Sequence, residues 1–229
     1  MGEKMYLEIR DVSKTLAKRE VLSHISLGME RGRIYGFRGK NGSGKTMLMR
    51  VICGLILPTQ GEVEIGGEIL GKTISFPRSI GALIETPGFI SHYSALRNLQ
   101  TLADIQKKIS TQQIREVLLE LGLDPDDKKK FRAFSLGMKQ KLGIAAAVME
   151  NPDIIVLDEP INALDEKSVD TVRNILVRHR ERNALIILSC HDREELEGLS
   201  DEIFCLEDGR ITDHYIVDKG TATPGEAAI

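Results

Sequence analysis

The chain has 229 residues, 41% apolar and 28% charged, a length that suits one domain with room for a subdomain and a composition that excludes a disordered chain. Its formal net charge of −3, with both signs scattered, argues against a strongly basic nucleic-acid surface, and no run approaches the roughly 18 apolar residues of a membrane span. Cys53, Cys190 and Cys205 are odd in number and widely spaced, and read as free thiols of a reducing cytosol.

The start, Met1-Gly2-Glu3-Lys4-Met5, lacks the apolar core of a signal peptide and the Ser or Thr of a myristoylation site. Tyr6-Leu7-Glu8-Ile9-Arg10 alternates as a half-buried strand does, and a second strand is expected over 21–29. Glu30-Arg31-Gly32 turns the chain into Arg33-Ile34-Tyr35-Gly36-Phe37, which reads as a buried strand. An apolar helix is expected over 47–57, then a turn at Pro58-Thr59-Gln60-Gly61 and a strand at Glu62-Val63-Glu64-Ile65 ending in Gly66-Gly67.

The character changes after Ile84. Residues 94–106 read as a helix, and Ser110-x-x-Gln113 is a capping box that opens another. That helix carries Ile114, Val117, Leu118 and Leu121 on one face and stops at Gly122. Lys128-Lys129-Lys130 reads as a solvated face rather than an anion contact. A further helix is expected over 135–150, so strand signals are nearly absent from Phe89 to Glu150. Strands return at Ile154-Ile155-Val156-Leu157 and Leu185-Ile186-Ile187-Leu188, continuous apolar runs that suit parallel strands covered on both faces. Between them, residues 166–180 show helical spacing at Val169, Val172, Ile175 and Leu176. A hairpin around Asp208-Gly209 closes the fold, and residues 220–229 read as a frayed tail.

Three stretches carry chemistry. Gly39-Lys40-Asn41-Gly42-Ser43-Gly44-Lys45-Thr46 fits the phosphate-loop pattern G-x-x-x-x-G-K-[ST] between a strand and a helix. Its glycines let successive N–H groups turn inward toward phosphate oxygens, and the following helix adds its positive end. Lys45 would bring charge to the β- and γ-phosphates, and the Thr46 hydroxyl would ligate Mg²⁺. A glycine-rich turn alone would lack those flanks. Asp158-Glu159 ends a buried strand with two carboxylates, Asp158 placed to support Mg²⁺ and Glu159 to accept a proton from the attacking water. Ser135, at the expected N-cap of its helix, would make a second anion site, a weak signal on its own. Cys190 beside His191 suggests a dyad, against which stands a strand-end thiol that merely packs.

In combination these stretches resemble the ABC-type ATPases, the nucleotide-binding subunits of ATP-binding cassette transporters, from about Leu7 to Gly209. Gly39 to Thr46 matches the Walker A loop and Ile154 to Glu159 the Walker B strand. Ser135-Leu136-Gly137-Met138-Lys139-Gln140 is similar to the family's LSGGQ signature, Asn162-Ala163-Leu164-Asp165 resembles the D-loop, and His191 stands at the switch histidine. The resemblance implies an α/β fold: a core over 1–86 and 151–219 with a mixed sheet and an antiparallel β part, and a helical subdomain over 87–150. It implies MgATP hydrolysis that drives transport through a separate transmembrane permease, with the chain on the inner face of the cell membrane. It further implies a homodimer or a heterodimer with a second ATPase subunit, in which Ser135 and Gly137 of one subunit reach the γ-phosphate held by the loop of the other. His191 would touch the same phosphate, and no nucleic-acid partner is expected.

Three departures from the pattern matter. Glu85 replaces the common Gln of the Q-loop, a variant similar to bacitracin- and lantibiotic-type exporter subunits, which favours export. Leu136 and Met138 replace a glycine and a glutamine of the signature, so Ser135 and Gly137 must carry its contacts. Leu16 stands where an aromatic residue often stacks on adenine, leaving an apolar contact in its place. The competing reading is a soluble ABC ATPase acting on ribosomes or DNA, although the second cassette or coiled-coil insertion usual there is missing. A regulatory subunit with little turnover is argued against by Glu159 and His191.

Overall fold

Two kinds of apolar spacing sort this chain into two sheets. The computed structural model describes residues 5–218, so the first four residues and the expected tail over 220–229 lie outside the described residues. In chain order, β1 (Leu7–Leu16), β2 (Arg19–Met29) and β3 (Ile34–Arg38) lead into α1 (Lys45–Ile52). There follow β4 (Gln60–Ile65), β5 (Glu68–Ile69) and β6 (Ile80–Leu83), and then the helices α2 (Ala95–Gln106), α3 (Thr111–Glu120) and α4 (Leu136–Val148). The chain returns through β7 (Ile154–Asp158), α5 (Glu166–Glu181), β8 (Leu185–Ser189), α6 (Arg193–Leu199), β9 (Glu202–Glu207) and β10 (Arg210–Ile216). The strands with alternating burial form an antiparallel sheet ordered β2-β1-β4-β5. The others form a six-stranded sheet ordered β10-β9-β3-β8-β7-β6, parallel except for β10.

The unbroken apolar runs explain why the mixed sheet is buried on both sides. Because side chains alternate along a strand, each run feeds two cores. Ile154, Val156, Leu185 and Ile187 pack with Leu48, Met49 and Ile52 of α1 and with the antiparallel sheet. Ile155, Leu157, Ile186 and Leu188 pack on the other side with Leu142 and Ile144 of α4 and Val172, Ile175 and Leu176 of α5. That second core continues through Leu99 of α2 and Ile114 and Leu118 of α3, whose capping box forms as the sequence predicts.

Some elements differ from the expectations. The helix after the phosphate loop stops at Ile52, because Gly54 takes a left-handed conformation (φ 71°) and Leu55 donates its N–H back to the Arg50 carbonyl. Besides the two-residue β5, two elements have no expected counterpart. α6 is seven residues long with Leu196 and Leu199 as its buried positions, too short to show a period. β6 contains Gly81, which weakens a strand pattern, and the packing explains the glycine. A Cβ there would lie 1.7 Å from the Ala147 carbonyl oxygen, so α4 meets the strand backbone to backbone.

Candidate nucleotide site

The loop between β3 and α1 is open on the side where a ligand would sit. Gly44 is the N-cap of α1 and offers no side-chain cap, with φ at 108°, a value that disfavours any residue with a Cβ. The first-turn N–H groups therefore have no capping side chain and carry the helix's positive end. Lys45 is 5% exposed and folds under the loop, its Nζ donating to the carbonyls of Gly39 at 2.6 Å and Lys40 at 3.1 Å. Burial lowers its pKa, with Glu159 and Asp158 pulling the other way. The Ser43 hydroxyl is buried with no hydrogen-bond partner among the described residues.

Strand register brings the carboxylates to the loop. β7 and β8 pair Asp158 with Ser189, and the Ser189 hydroxyl donates to Asp158 Oδ1 at 2.6 Å. The other carboxylate oxygen accepts from Thr46 Oγ1 at 2.7 Å. Ser189 also accepts from the Glu159 N–H at 3.1 Å, so one buried hydroxyl fixes both acidic residues. Glu159 itself lies in the left-handed region, φ 51°. Its side chain meets His191 Nε2 at 2.5 Å through Oε1 and accepts from Asn162 Nδ2 at 2.5 Å through Oε2, while Gln140 Nε2 donates to its carbonyl at 2.8 Å. Thr46, Asp158, Glu159 and His191 thus form one connected group at the ends of β7 and β8.

The other expected residues are placed differently. Glu85, also left-handed at φ 59°, pairs with the Arg50 guanidinium on α1 at 2.8 Å, its side chain 57% exposed. Ser135 caps α4 by accepting from the Met138 N–H at 3.2 Å, and Gly137 faces the Ala163 carbonyl, which a Cβ would approach to 2.8 Å. Neither lines the loop's clefts. Leu136 does, in a cleft of about 330 Å³ shared with Thr46, Glu85, Asp158 and Glu159. Lys40 and His191 line a further cleft beside Arg38. The cysteine beside His191 is no dyad: its thiol is pushed up to about 11 chiefly by burial and lies 3.6 Å from Glu195, while the imidazole turns to Glu159.

A cleft of about 400 Å³ is lined by Asn41, Gly42, Lys45 and Thr46, by Arg50, Glu85 and Glu159, and by Arg19, Glu20, Val21 and Asp208. The turn Ala17-Lys18, with φ of 46° and 67°, pairs Leu16 with Arg19; Arg19 and Val21 line this cleft and Leu16 does not. Sequence reasoning missed Ser189, Arg50 and Arg19. A serine ending a four-residue apolar run was a usable signal for the first; the other two sit on elements whose side chains take their direction from the fold.

The family model described as ABC transporter matches residues 22–162. The uncharacterized ABC transporter ATP-binding protein YybJ of Bacillus subtilis (strain 168) is 44% identical over 205 residues, 90% of this chain and 94% of that protein. The bacitracin transport ATP-binding protein BcrA of Bacillus licheniformis is 37% identical over 214 residues, 93% of this chain and 70% of that protein. A solved structure of an ATP-binding subunit of an ABC transporter matches with a TM-score of 0.84 at 26% identity, over 94% of this chain and 91% of the other.

Proposed function

The chain belongs to the ABC transporter family as one of its ATP-binding, ATP-hydrolysing subunits, and from that premise we propose that it powers export through a separate membrane-spanning permease. The observation that carries the site assignment is the hydrogen bond from Thr46 to Asp158 beneath the phosphate loop, with Glu159 as the next residue. The donors fit the expected ligands. The uncapped N–H groups of α1, the buried unpartnered Ser43 hydroxyl and the Lys45 ammonium suit a triphosphate. Thr46 and Asp158 offer the hard oxygen atoms that hold Mg²⁺. The bound ion would neutralise phosphate charge.

The residues divide the work. Gly39, Lys40, Asn41, Gly42, Ser43, Gly44, Lys45 and Thr46 hold the phosphates. Glu159 orients the attacking water and takes its proton, and His191, already on the Glu159 carboxylate, positions that group and meets the γ-phosphate. Ser135 and Gly137, which line neither of the clefts at this chain's own loop, serve the site of a second ATPase subunit, identical or related. Residues 87–150 act as the helical subdomain and Glu85 links it to the core, so that nucleotide state reaches the permease. As relatives named as transport ATP-binding proteins suggest, the chain works from the inner face through its partner; no helix of the described residues is long and apolar enough to cross a membrane.

The names of the relatives support transport over a role on ribosomes or DNA, and export rests on the resemblance of Glu85 to the Q-loop of exporter subunits. Affinity purification from membranes is the test. Recovery of a hydrophobic integral membrane protein whose presence stimulates Mg²⁺-dependent ATP hydrolysis is expected. Recovery of ribosomes or nucleic acid with hydrolysis indifferent to membranes would overturn the transport reading.

A further inference from the structure

A cleft of about 380 Å³ between α3, the C-terminal end of α4 and α5 shares no residue with the clefts at the phosphate loop. Its apolar lining is Val148, Met149 and Ile175, all buried, with Val117. His179 lines it beside them, only 7% exposed, and neither ring nitrogen has a hydrogen bond or ion pair among the described residues. Burial, helped by Arg182 and Arg178, lowers its pKa to about 4, so at neutral pH the ring is uncharged, with one nitrogen to donate and one to accept. A buried polar group without a partner is costly, and one that lines a cavity is satisfied by what enters it. Helical spacing sets the charges on the two walls. Glu116 and Glu120 lie one turn apart on α3, and Arg178 and Arg182 one turn apart where α5 ends. Arg178 and Glu120 take each other across the cleft, at 2.6 and 2.8 Å. One charge of each sign is left over. Among the described residues, Glu116 accepts from Gln112 Nε2 at 3.1 Å and has no cation, while Arg182 donates to Asn151 Oδ1 and has no carboxylate.

We propose that this cleft binds a small zwitterion with an apolar body, the chemistry of a free aliphatic amino acid, its carboxylate on Arg182 and His179, its ammonium on Glu116, and its side chain over Val148, Met149 and Ile175. The volume falls within the range of small-molecule sites, about 300–1,000 Å³. An anion alone would leave Glu116 facing it, and a cation alone would leave Arg182 facing it. A ligand that carries both charges matches both walls. Guanidinium suits carboxylate in shape as well as in charge. The bound molecule joins α3 to α5 beside the Arg178–Glu120 pair. Nothing in this site depends on the nucleotide reading.

The test is equilibrium dialysis of the full chain with labelled L-leucine, in competition with 4-methylpentanoate, which lacks the ammonium, and 3-methylbutylamine, which lacks the carboxylate. Saturable uptake of leucine below about 10 mM is expected, with each singly charged analogue weaker by about tenfold. Glu116→Gln and Arg182→Gln, both at exposed positions that leave the packed interior alone, should each weaken leucine by about five- to tenfold. Glu116→Gln should also erase the advantage of leucine over 4-methylpentanoate, and Arg182→Gln its advantage over 3-methylbutylamine. Inorganic tripolyphosphate should displace none of it. The absence of saturable uptake would leave the cleft to water and overturn the site. Equal affinity for leucine and either analogue, unchanged affinity in both variants, or displacement by tripolyphosphate would each overturn it as well.

Discussion

The phosphate loop and the signature helix are both proposed here as anion sites at helix N-termini, yet the chain treats them differently. At α1 the functional groups are sunk into the sheet: Lys45 is 5%, Asp158 8% and Ser189 0% exposed, each holding hydrogen bonds that fix it before any ligand arrives. At α4 the Ser135 hydroxyl is exposed and spends its hydrogen bond on its own helix, and Leu136 beside it is 66% exposed. The first half is a site arranged to bind; the second is a surface arranged to be met. Burial separates what the chain completes alone from what it offers to another.

Substitutions can break or sharpen that contrast. Glu159→Gln should lower hydrolysis by roughly 10²–10⁴ while ATP still binds, since it removes the group that takes the proton and keeps its shape; turnover within a few-fold of normal would remove Glu159 from that role. Lys45→Ala should weaken ATP by about 10–100-fold, the equivalent of losing a charged hydrogen bond, with unchanged titration curves telling against the loop assignment. The two serines then compare the halves directly. Ser189→Ala strands both Asp158 Oδ1 and the Glu159 N–H and should cost about 1–3 kcal/mol, whereas Ser135→Ala loses one exposed cap worth about 1 kcal/mol. Denaturant midpoints read this, and equal losses would erase the distinction. Smallest on binding is Glu85→Ala, which breaks a half-exposed pair with Arg50 and should move ATP affinity less than about twofold. The same variant should abolish transport by the assembled complex, and Glu85→Gln should retain part of it. Normal cargo efflux in Glu85→Ala would refute the coupling role.

Much of this was legible because the residues concerned answer to local rules. The loop is spelled out by glycine, lysine and threonine at fixed spacing, and the parallel strands by apolar runs that only double-sided burial explains. The capping box at Ser110 is likewise a local contract between two side chains. What stayed hidden depends on register. Nothing near Ser189 says that it will stand opposite Asp158, and nothing near Arg50 says that Glu85 will come to it from a loop 35 positions on. Leu16 was a position read from resemblance; the hairpin pairs it with Arg19, which lines the cleft where Leu16 does not.

The contact between Gly81 and the Ala147 carbonyl has a mechanical consequence. It fixes the C-terminal end of α4 against β6 with no side chain between them to compress or slide. The twelve helical steps from Ser135 to Ala147 span about 18 Å, so a tilt of about 10° about that contact would carry Ser135 roughly 3 Å while Gly81 stays still. Were α4 to act as a lever, its pivot would lie on the strand, and the same strand runs four residues later into Glu85. Torque entering at that loop would then leave as travel at the far tip of the helix.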